Sequence, residues 1–429
     1  MDIHQEFTEW AQQRGLEIID IKAQNFHGRG MGIMATKDIR ANTMILRVPH
    51  LALRTQNTVS QVVLDAIKGL QRISVHGLLA MDHIFQNFRG NSNTTATKLT
   101  SPAGVAATPI AEYCNIDGGG SNDYSDNNCK PWHNVLPKFS DIQECMPLCW
   151  SASLQKLLPP ISKRLLHKQR QKLQKDWNIA SMAWPHLVYD NYLYAWLLIN
   201  TRTFYFILSA QSYSGKSHSR INSSRDNNRG TSIHRDDCMA LNPFADYFNQ
   251  NFSPSASVQI TKNAFEIHTL RNVNAQEEIT ICYGNHSNDF LLAEYGFFLN
   301  ENPWDEVLLD DYIFPLLNSS QKKKLKSVDF LGNYILDRNS VCYRTQVVLR
   351  ILCLSLSRWE DFVKGLDDGD MDQPQIDQIL STVIIRFRQD IQKILAKISL
   401  LDNNYSTQKA LLSNRWSQID TLLETILKK

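Results

Sequence analysis

The chain has 429 residues, enough for two to three domains with buried cores. Hydrophobic residues make up 43% and charged residues 21%, which excludes fibrous and wholly disordered classes, and a net charge of +2 exerts no overall pull toward nucleic acid or anionic lipid. Met1-Asp2-Ile3-His4-Gln5-Glu6 lacks the basic-then-apolar order of a secretion signal, no apolar run reaches spanning length, and eight cysteines without a CxxC pair favour a reducing compartment over a disulfide framework or zinc site. Cytosol or nucleus is expected.

In chain order, Phe7 and Trp10 predict a short helix that Gly15 ends. Strands are predicted at Leu16 to Ile21 and Met44 to Val48, flanking the glycine cluster Gly28-Arg29-Gly30-Met31-Gly32. Val62, Val63, Ile67 and Leu70 place residues 56 to 90 in helix. From about 91 to 128 the composition collapses into Ser, Thr, Asn, Ala and Gly, which predicts a disordered insertion. Helices are expected from Trp132 to about Phe206, and a second polar insertion from about 211 to 236. Strands return between Ala256 and Tyr283, and beyond Asn302-Pro303 the pattern is helical. There Ile384, Phe387, Ile391, Ile394, Leu395 and Ile398 form one apolar stripe that needs a partner to bury it. The fold class is α+β, a β-rich region interrupted by helices and followed by an all-helical C-terminal domain.

Three segments are candidate sites. Gly28-x-Gly30-x-Gly32 invites a dinucleotide reading, but that fingerprint needs a helix directly after it, and here a strand-like segment follows with Ile33 at the place of the last glycine. The plain alternative is a glycine-rich turn that still lets the backbone approach a small cofactor. Leu241 to Gln250 carries Asp246 and Asn249 inside an aromatic run, where they need partners if buried; in isolation it reads as a loop with an Asx turn. Glu278 to Gly284, followed by Leu291 to Phe297, ends a strand on Tyr283, by itself a packing aromatic. The basic runs Lys163 to Lys175 and Lys322 to Lys326 read as solvated helix faces, without the aromatic interleaving of a single-strand binder. His234-Arg235-Asp236-Asp237-Cys238 is not a convincing ligand set, and no metal is expected.

Taken in order, these segments resemble the SET-domain methyltransferases, in the branch that includes plant Rubisco large-subunit lysine methyltransferase. The glycine cluster with Ala35-Thr36-Lys37-Asp38-Ile39 is similar to the opening cofactor loop, Met146-Pro147-Leu148-Cys149-Trp150-Ser151 to a Pro-x-x-Trp-Ser element, and Asn200-Thr201-Arg202-Thr203-Phe204 to a Ser-Arg-x-Phe element. Leu241 to Gln250 and Glu278 to Phe297 resemble the two signature motifs. The resemblance implies a SET domain over 1–300 with an inserted helical region at about 60–200, and a substrate-binding helical domain over 301–429. It implies S-adenosylmethionine as cofactor, S-adenosylhomocysteine as product, and methyl transfer to a lysine of a non-histone protein, ribosomal or translational in class. A histidine-directed enzyme of the same fold, or a silent scaffold that binds partners, are the alternatives.

Carried over by motif, Arg29, Gly30 and Met31 line the cofactor through backbone groups, and Arg202 grips its carboxylate with paired donors. Asp246, Asn249 and Gln250 bind the cofactor too, in the segment that threads beneath the last motif and holds the adenosyl and amino ends. Tyr283 is the active-site tyrosine, which also borders the cofactor and orients the amine rather than acting as a base; Tyr283 and Tyr295 contribute to the substrate channel and Phe297 to the adenine side. Three residues depart from the family pattern: Gln250 stands for histidine, Cys282 and Thr201 for serine. The implied partner is a protein substrate bound by the C-terminal domain of a monomer, with no membrane and no direct nucleic-acid contact.

Overall fold

A computed structural model describes residues 2–91, 129–207, 238–338 and 340–428. The insertions expected at about 91–128 and 211–236, and His234 to Asp237, fall outside them apart from Asn91. The chain separates into two compact units, residues 1–139 with 170–283, and residues 140–169 with 284–429.

In the first unit, helix Ile3–Gln13 buries Phe7, Trp10 and Ala11, and Gly15, at φ 81°, ends it as its position predicts. Strands β1 (Glu17–Ile18), β2 (Ile21–Phe26), β3 (Gly30–Ala35) and β4 (Met44–Pro49) follow. The glycine cluster is therefore the turn of the β2–β3 hairpin and the start of β3, which rules out the helix a dinucleotide fingerprint requires. β5 (Thr203–Tyr205) pairs with β6 (Met239–Leu241), and β7 (Asn249–Gln250), β8 (Ala256–Ile260), β9 (Ala264–Thr269) and β10 (Glu278–Ile281) complete the strands of this unit. One sheet has the order β1-β4-β9-β8 and another β2-β3-β10-β7. Their inward positions, among them Ile33, Ile45, Leu46, Val48, Phe265, Ile267 and Ile279, are fully buried. Most ladders are antiparallel, but β7 lies parallel to β10, with Asn249 opposite Thr280 and Gln250 opposite Ile281. A parallel neighbour cannot come from a hairpin; the 249–250 segment is threaded beside β10 from 28 residues upstream, counting from Gln250 to Glu278.

Between the strands, helix Val75–Asn91 packs against Tyr189–Arg202. A buried carboxylate ties this layer together: Asp176 accepts the Ser74 N–H at 2.9 Å, the Ser74 hydroxyl at 2.5 Å and the Trp196 indole N–H at 3.0 Å. In the basic run only Lys172 turns inward, reaching His76 Nδ1 at 3.0 Å, and Lys163, Arg164, Lys168, Arg170 and Lys175 are exposed as a solvated face should be.

In the second unit, helices Gln373–Ser399 and Ser406–Leu427 pack on each other. The predicted stripe buries Ile384, Phe387, Ile391 and Ile398 fully, and Trp416, Ile419 and Leu423 belong to the same core. Trp150, Leu154, Leu158 and Leu166 join that core too. The all-helical expectation needs one correction: β11 (Glu306–Leu308) and β12 (Ile335–Asp337) form a two-stranded antiparallel sheet. Val307 and Leu336 are buried at its centre, a pairing too short for periodicity to reveal. A fully buried guanidinium fastens this unit. Arg415 donates through Nε to Asp289 at 2.7 Å and through Nη1 and Nη2 to Asp305 at 2.7 and 3.0 Å. No described helix is long and apolar enough to cross a membrane.

Candidate active site

The hairpin turn sets the first wall. Gly28 and Gly30 adopt φ 72° and 74°, and side-chain carbons built on them would meet nothing within 4 Å, so backbone conformation selects glycine and the space beside it is open. Gly32 is selected differently. A Cβ there would lie 2.7 Å from Asn249 Nδ2 and 2.9 Å from Glu278 Oε1, so only glycine lets these groups reach the strand. Asn249 uses that access, donating through Nδ2 to Met31 O at 3.2 Å and to Glu278 Oε1 at 2.8 Å. The other oxygen of Glu278 pairs with Arg29 Nε at 3.1 Å, and Arg29 Nη2 donates to Gln250 O at 3.0 Å. Arg29, Met31, Asn249 and Gln250, all predicted from motifs, thus meet in one knot, with Gly30 in the strand between.

Glu278 is the residue that sequence reasoning missed as a member of the site. Its signal was present: an acidic side chain opens a strand whose other residues, Ile279, Thr280 and Ile281, are all buried.

Tyr283 lies two residues beyond the end of β10 and is pinned at both ends by the threaded segment. Its N–H donates to Gln250 Oε1 at 2.5 Å and its hydroxyl to Phe248 O at 2.7 Å. With its proton committed to a carbonyl, the phenolic oxygen can join a further hydrogen bond only as an acceptor. Cys282 is exposed, so the exchange for serine there disturbs no packing.

Arg202 closes helix Tyr189–Arg202 and donates through Nη1 to Thr201 Oγ1 at 2.9 Å. The Thr201 hydroxyl is itself anchored on Leu197 O at 2.8 Å, a role that serine fills equally well. Arg202 Nε stands 3.8 Å from Asp246 Oδ2, and the arginine side chain stays 25% exposed against 7% for the aspartate. A guanidinium carries five N–H donors, so this one retains donors for a further anionic ligand.

Asp246 sits in a tight turn, Ala245–Tyr247, that packs against β3. The chain enters it through Phe244 at φ 70°, a left-handed conformation that costs a bulky residue roughly 1–3 kcal/mol. Aromatic packing offsets that strain: Phe244 is fully buried, 6.2 Å from the Phe7 ring and edge-on to Tyr247 at 5.5 Å. What reads as a loop in isolation is a strained turn held by an aromatic cluster. Burial pushes the Asp246 carboxyl up to about 6, with Arg202 pulling the other way.

Tyr295 and Phe297 belong to the second unit. Tyr295 ends helix Asn288–Tyr295, Gly296 caps it at φ 79°, and the Tyr295 and Phe297 rings lie 6.2 Å apart. Burial, with Glu294 nearby, pushes the Tyr295 hydroxyl up to about 12. Trp150 of the Pro-x-x-Trp-Ser element is also in this unit, a core residue whose indole donates to Glu144 O at 2.9 Å.

The SET domain model matches residues 30–284, and the model for the Ribosomal lysine N-methyltransferase 2 C-terminal domain matches residues 305–429. SET domain-containing protein 4 of Homo sapiens is 23% identical over an alignment spanning 99% of this chain and 88% of that protein. Ribosomal lysine N-methyltransferase 2 of Saccharomyces cerevisiae is 24% identical over 66% of this chain and 65% of its own length. Among solved structures, Rubisco LSMT bound to AdoMet superposes with a TM-score of 0.54 at 16% identity, covering 100% of this chain and 93% of that one. The match runs from the glycine hairpin to Tyr283 and takes in the threaded segment, and the chain belongs to the SET-domain family.

Proposed function

We propose that the protein is an S-adenosylmethionine-dependent lysine N-methyltransferase acting on a non-histone protein, of the ribosomal class. One observation carries the reading. Gln250 and Phe248 of the threaded segment pin Tyr283 at its backbone and its hydroxyl, in a chain whose residues 305–429 match a domain named for ribosomal lysine N-methyltransferase 2.

The residues suit the cofactor. Open space beside the left-handed Gly28 and Gly30 leaves the Arg29-Gly30-Met31 backbone accessible, and the spare donors of Arg202 match a carboxylate. Asp246, Asn249 and Gln250 belong to the segment assigned to the adenosyl and amino ends of the cofactor, and Phe297 serves the adenine side. When bound, S-adenosylmethionine supplies a methyl group already activated by its sulfonium.

The chain's own task is to present a neutral amine in line. Deprotonating lysine at pH 7 costs about 4.6 kcal/mol from an ordinary pKa of about 10.4, and a dry aromatic channel lowers that cost because it disfavours the ammonium. Tyr283 and Tyr295 are assigned to the channel. In this reading the Tyr283 oxygen accepts an amine N–H and aims its nitrogen, and alignment of this kind supplies several kcal/mol. The division into a catalytic part over 1–300 and a substrate-binding part over 301–429, and action as a monomer in cytoplasm or nucleus, belong to the same proposal.

Labelled cofactor and the pure protein are added to an extract of cells lacking the gene, and mass spectrometry locates the label. Trimethyl-, dimethyl- or monomethyllysine on a ribosomal protein is the expected result. A pure protein that binds no labelled cofactor would be a silent scaffold, and label on histidine would make it a histidine-directed enzyme.

A further inference from the structure

We propose that the side chain of Gln250 is a positioning residue for methyl transfer, acting through the main chain of Tyr283 as a side-chain extension of the β7–β10 ladder. The inference rests on the reading of Tyr283 given above. The ladder supplies backbone partners only as far as Ile281, which stands opposite Gln250 and accepts the Asn251 N–H at 2.9 Å. Tyr283 is two residues further on. The main-chain carbonyl of Gln250 is engaged by Arg29 Nη2 at 3.0 Å. Instead Gln250 Oε1, on a residue only 4% exposed, accepts the Tyr283 N–H at 2.5 Å, doing for Tyr283 what a backbone carbonyl does one step earlier.

The consequence is geometric. Together with the 2.7 Å bond from the phenol to Phe248 O, this contact fixes Tyr283 at its backbone and at its tip, both against one three-residue stretch. Two anchors on opposite ends of the side chain define where the oxygen lone pairs point. With the backbone anchor removed, the ring can pivot about its hydroxyl bond, and the acceptor loses its aim while the cofactor walls at Arg29 and Met31 keep their own bonds through Glu278 and Asn249. A residue at 250 therefore needs an acceptor atom at the reach of a glutamine amide. A neutral imidazole nitrogen meets that requirement, and a thioether of the same length, a weak acceptor, meets it poorly.

Two readouts on the full chain test this. Hydrogen exchange at the Tyr283 amide needs no catalysis: Gln250→Met speeds it about tenfold or more, and Gln250→His at about pH 8.5, where an ordinary imidazole is neutral, keeps it slow. In single-turnover transfer to the substrate protein, Gln250→Met lowers the rate about tenfold or more while the cofactor Kd changes less than about threefold, and Gln250→His recovers most of the rate. In a Tyr283→Phe background Gln250→Met costs nothing further, because it acts through the hydroxyl already removed. Unchanged amide exchange in Gln250→Met overturns the contact. Additive losses in the double variant, or rate and affinity falling together, overturn the positioning role. A wild-type protein that binds cofactor but transfers no methyl refutes the lysine-methyltransferase reading instead, and leaves the exchange result standing.

Discussion

Asp246 combines burial, an incomplete ion pair and a site position, and Asp246→Asn separates their effects. The carboxyl is 7% exposed and its partner Arg202 stands 3.8 Å away, too far for a full charge-assisted bond. Burial outweighs that partner, so the folded-state value rises to about 6 from an ordinary 3.8. The direction of the pH effect follows. Below pH 3.8 the carboxyl is neutral in both folded and unfolded chains and costs nothing. As pH rises through that value the unfolded chain ionises first, the native state holds the extra proton, and stability declines until the native carboxyl ionises near pH 6. A difference of this size is worth about 3 kcal/mol at neutral pH. Asparagine keeps an acceptor oxygen and removes the buried charge. Asp246→Asn is therefore expected to raise Tm at pH 8, by about 2 to 4 °C per kcal/mol for a unit of this size, and to leave it nearly unchanged at pH 4. Calorimetric melting of both proteins at pH 4, 6 and 8 measures the difference. A variant less stable than wild type at pH 8, or an effect that does not vary with pH, would show that the Arg202 pair dominates and the native carboxyl sits below its ordinary range.

Four further outcomes are expected. Tyr283→Phe deletes the bond to Phe248 O, so stability falls by about 0.5–1.5 kcal/mol while turnover falls about a hundredfold with cofactor Kd nearly constant; wild-type turnover in the folded variant would remove this hydroxyl from the mechanism. Arg202→Ala weakens cofactor binding by about 1.5–3 kcal/mol by calorimetry, and unchanged affinity would assign the arginine elsewhere. Gly32→Ala drives a methyl to within 2.7 Å of Asn249 Nδ2, costing about 1–3 kcal/mol in denaturant melts and displacing Asn249 from Met31 O; a neutral effect would mean the hairpin yields. Arg415→Leu strands the buried carboxylates of Asp289 and Asp305 and costs about 3–5 kcal/mol by chemical denaturation, whereas a loss under about 1 kcal/mol would mean water reaches them.

Much of the site was legible because each motif residue has a local reason to be where it is. Gly28 and Gly30 need left-handed backbone, Arg202 closes a helix, and Tyr283 follows a run of buried strand residues. Order along the chain then made the family resemblance specific. Glu278 escaped because its role depends on two partners, Arg29 and Asn249, that are distant in sequence. The Asp246 turn escaped for a related reason. Phe244 holds a conformation that local preference disfavours, and only the rings of Phe7 and Tyr247 make it tolerable.

The amino-acid order by itself determined what is written at short range: the helix ended by Gly15, the apolar stripe from Ile384 to Ile398, the return of strands between Ala256 and Tyr283, and the motifs that select the SET family. Periodicity reports which face of an element seeks burial, and turn chemistry reports where the element stops. Neither reports which distant face completes the pairing. Tertiary structure alone decided that residues 140–169 share a core with 284–429, that β11 and β12 pair inside a helical region, and that β7 lies parallel to β10. It also decided that a glutamine side chain would stand in for a missing ladder carbonyl at Tyr283. The physical reason is the same in each case. A two- or three-residue strand has too few positions to show a period, and a hydrogen bond across 33 residues leaves no mark on the spacing of its neighbours.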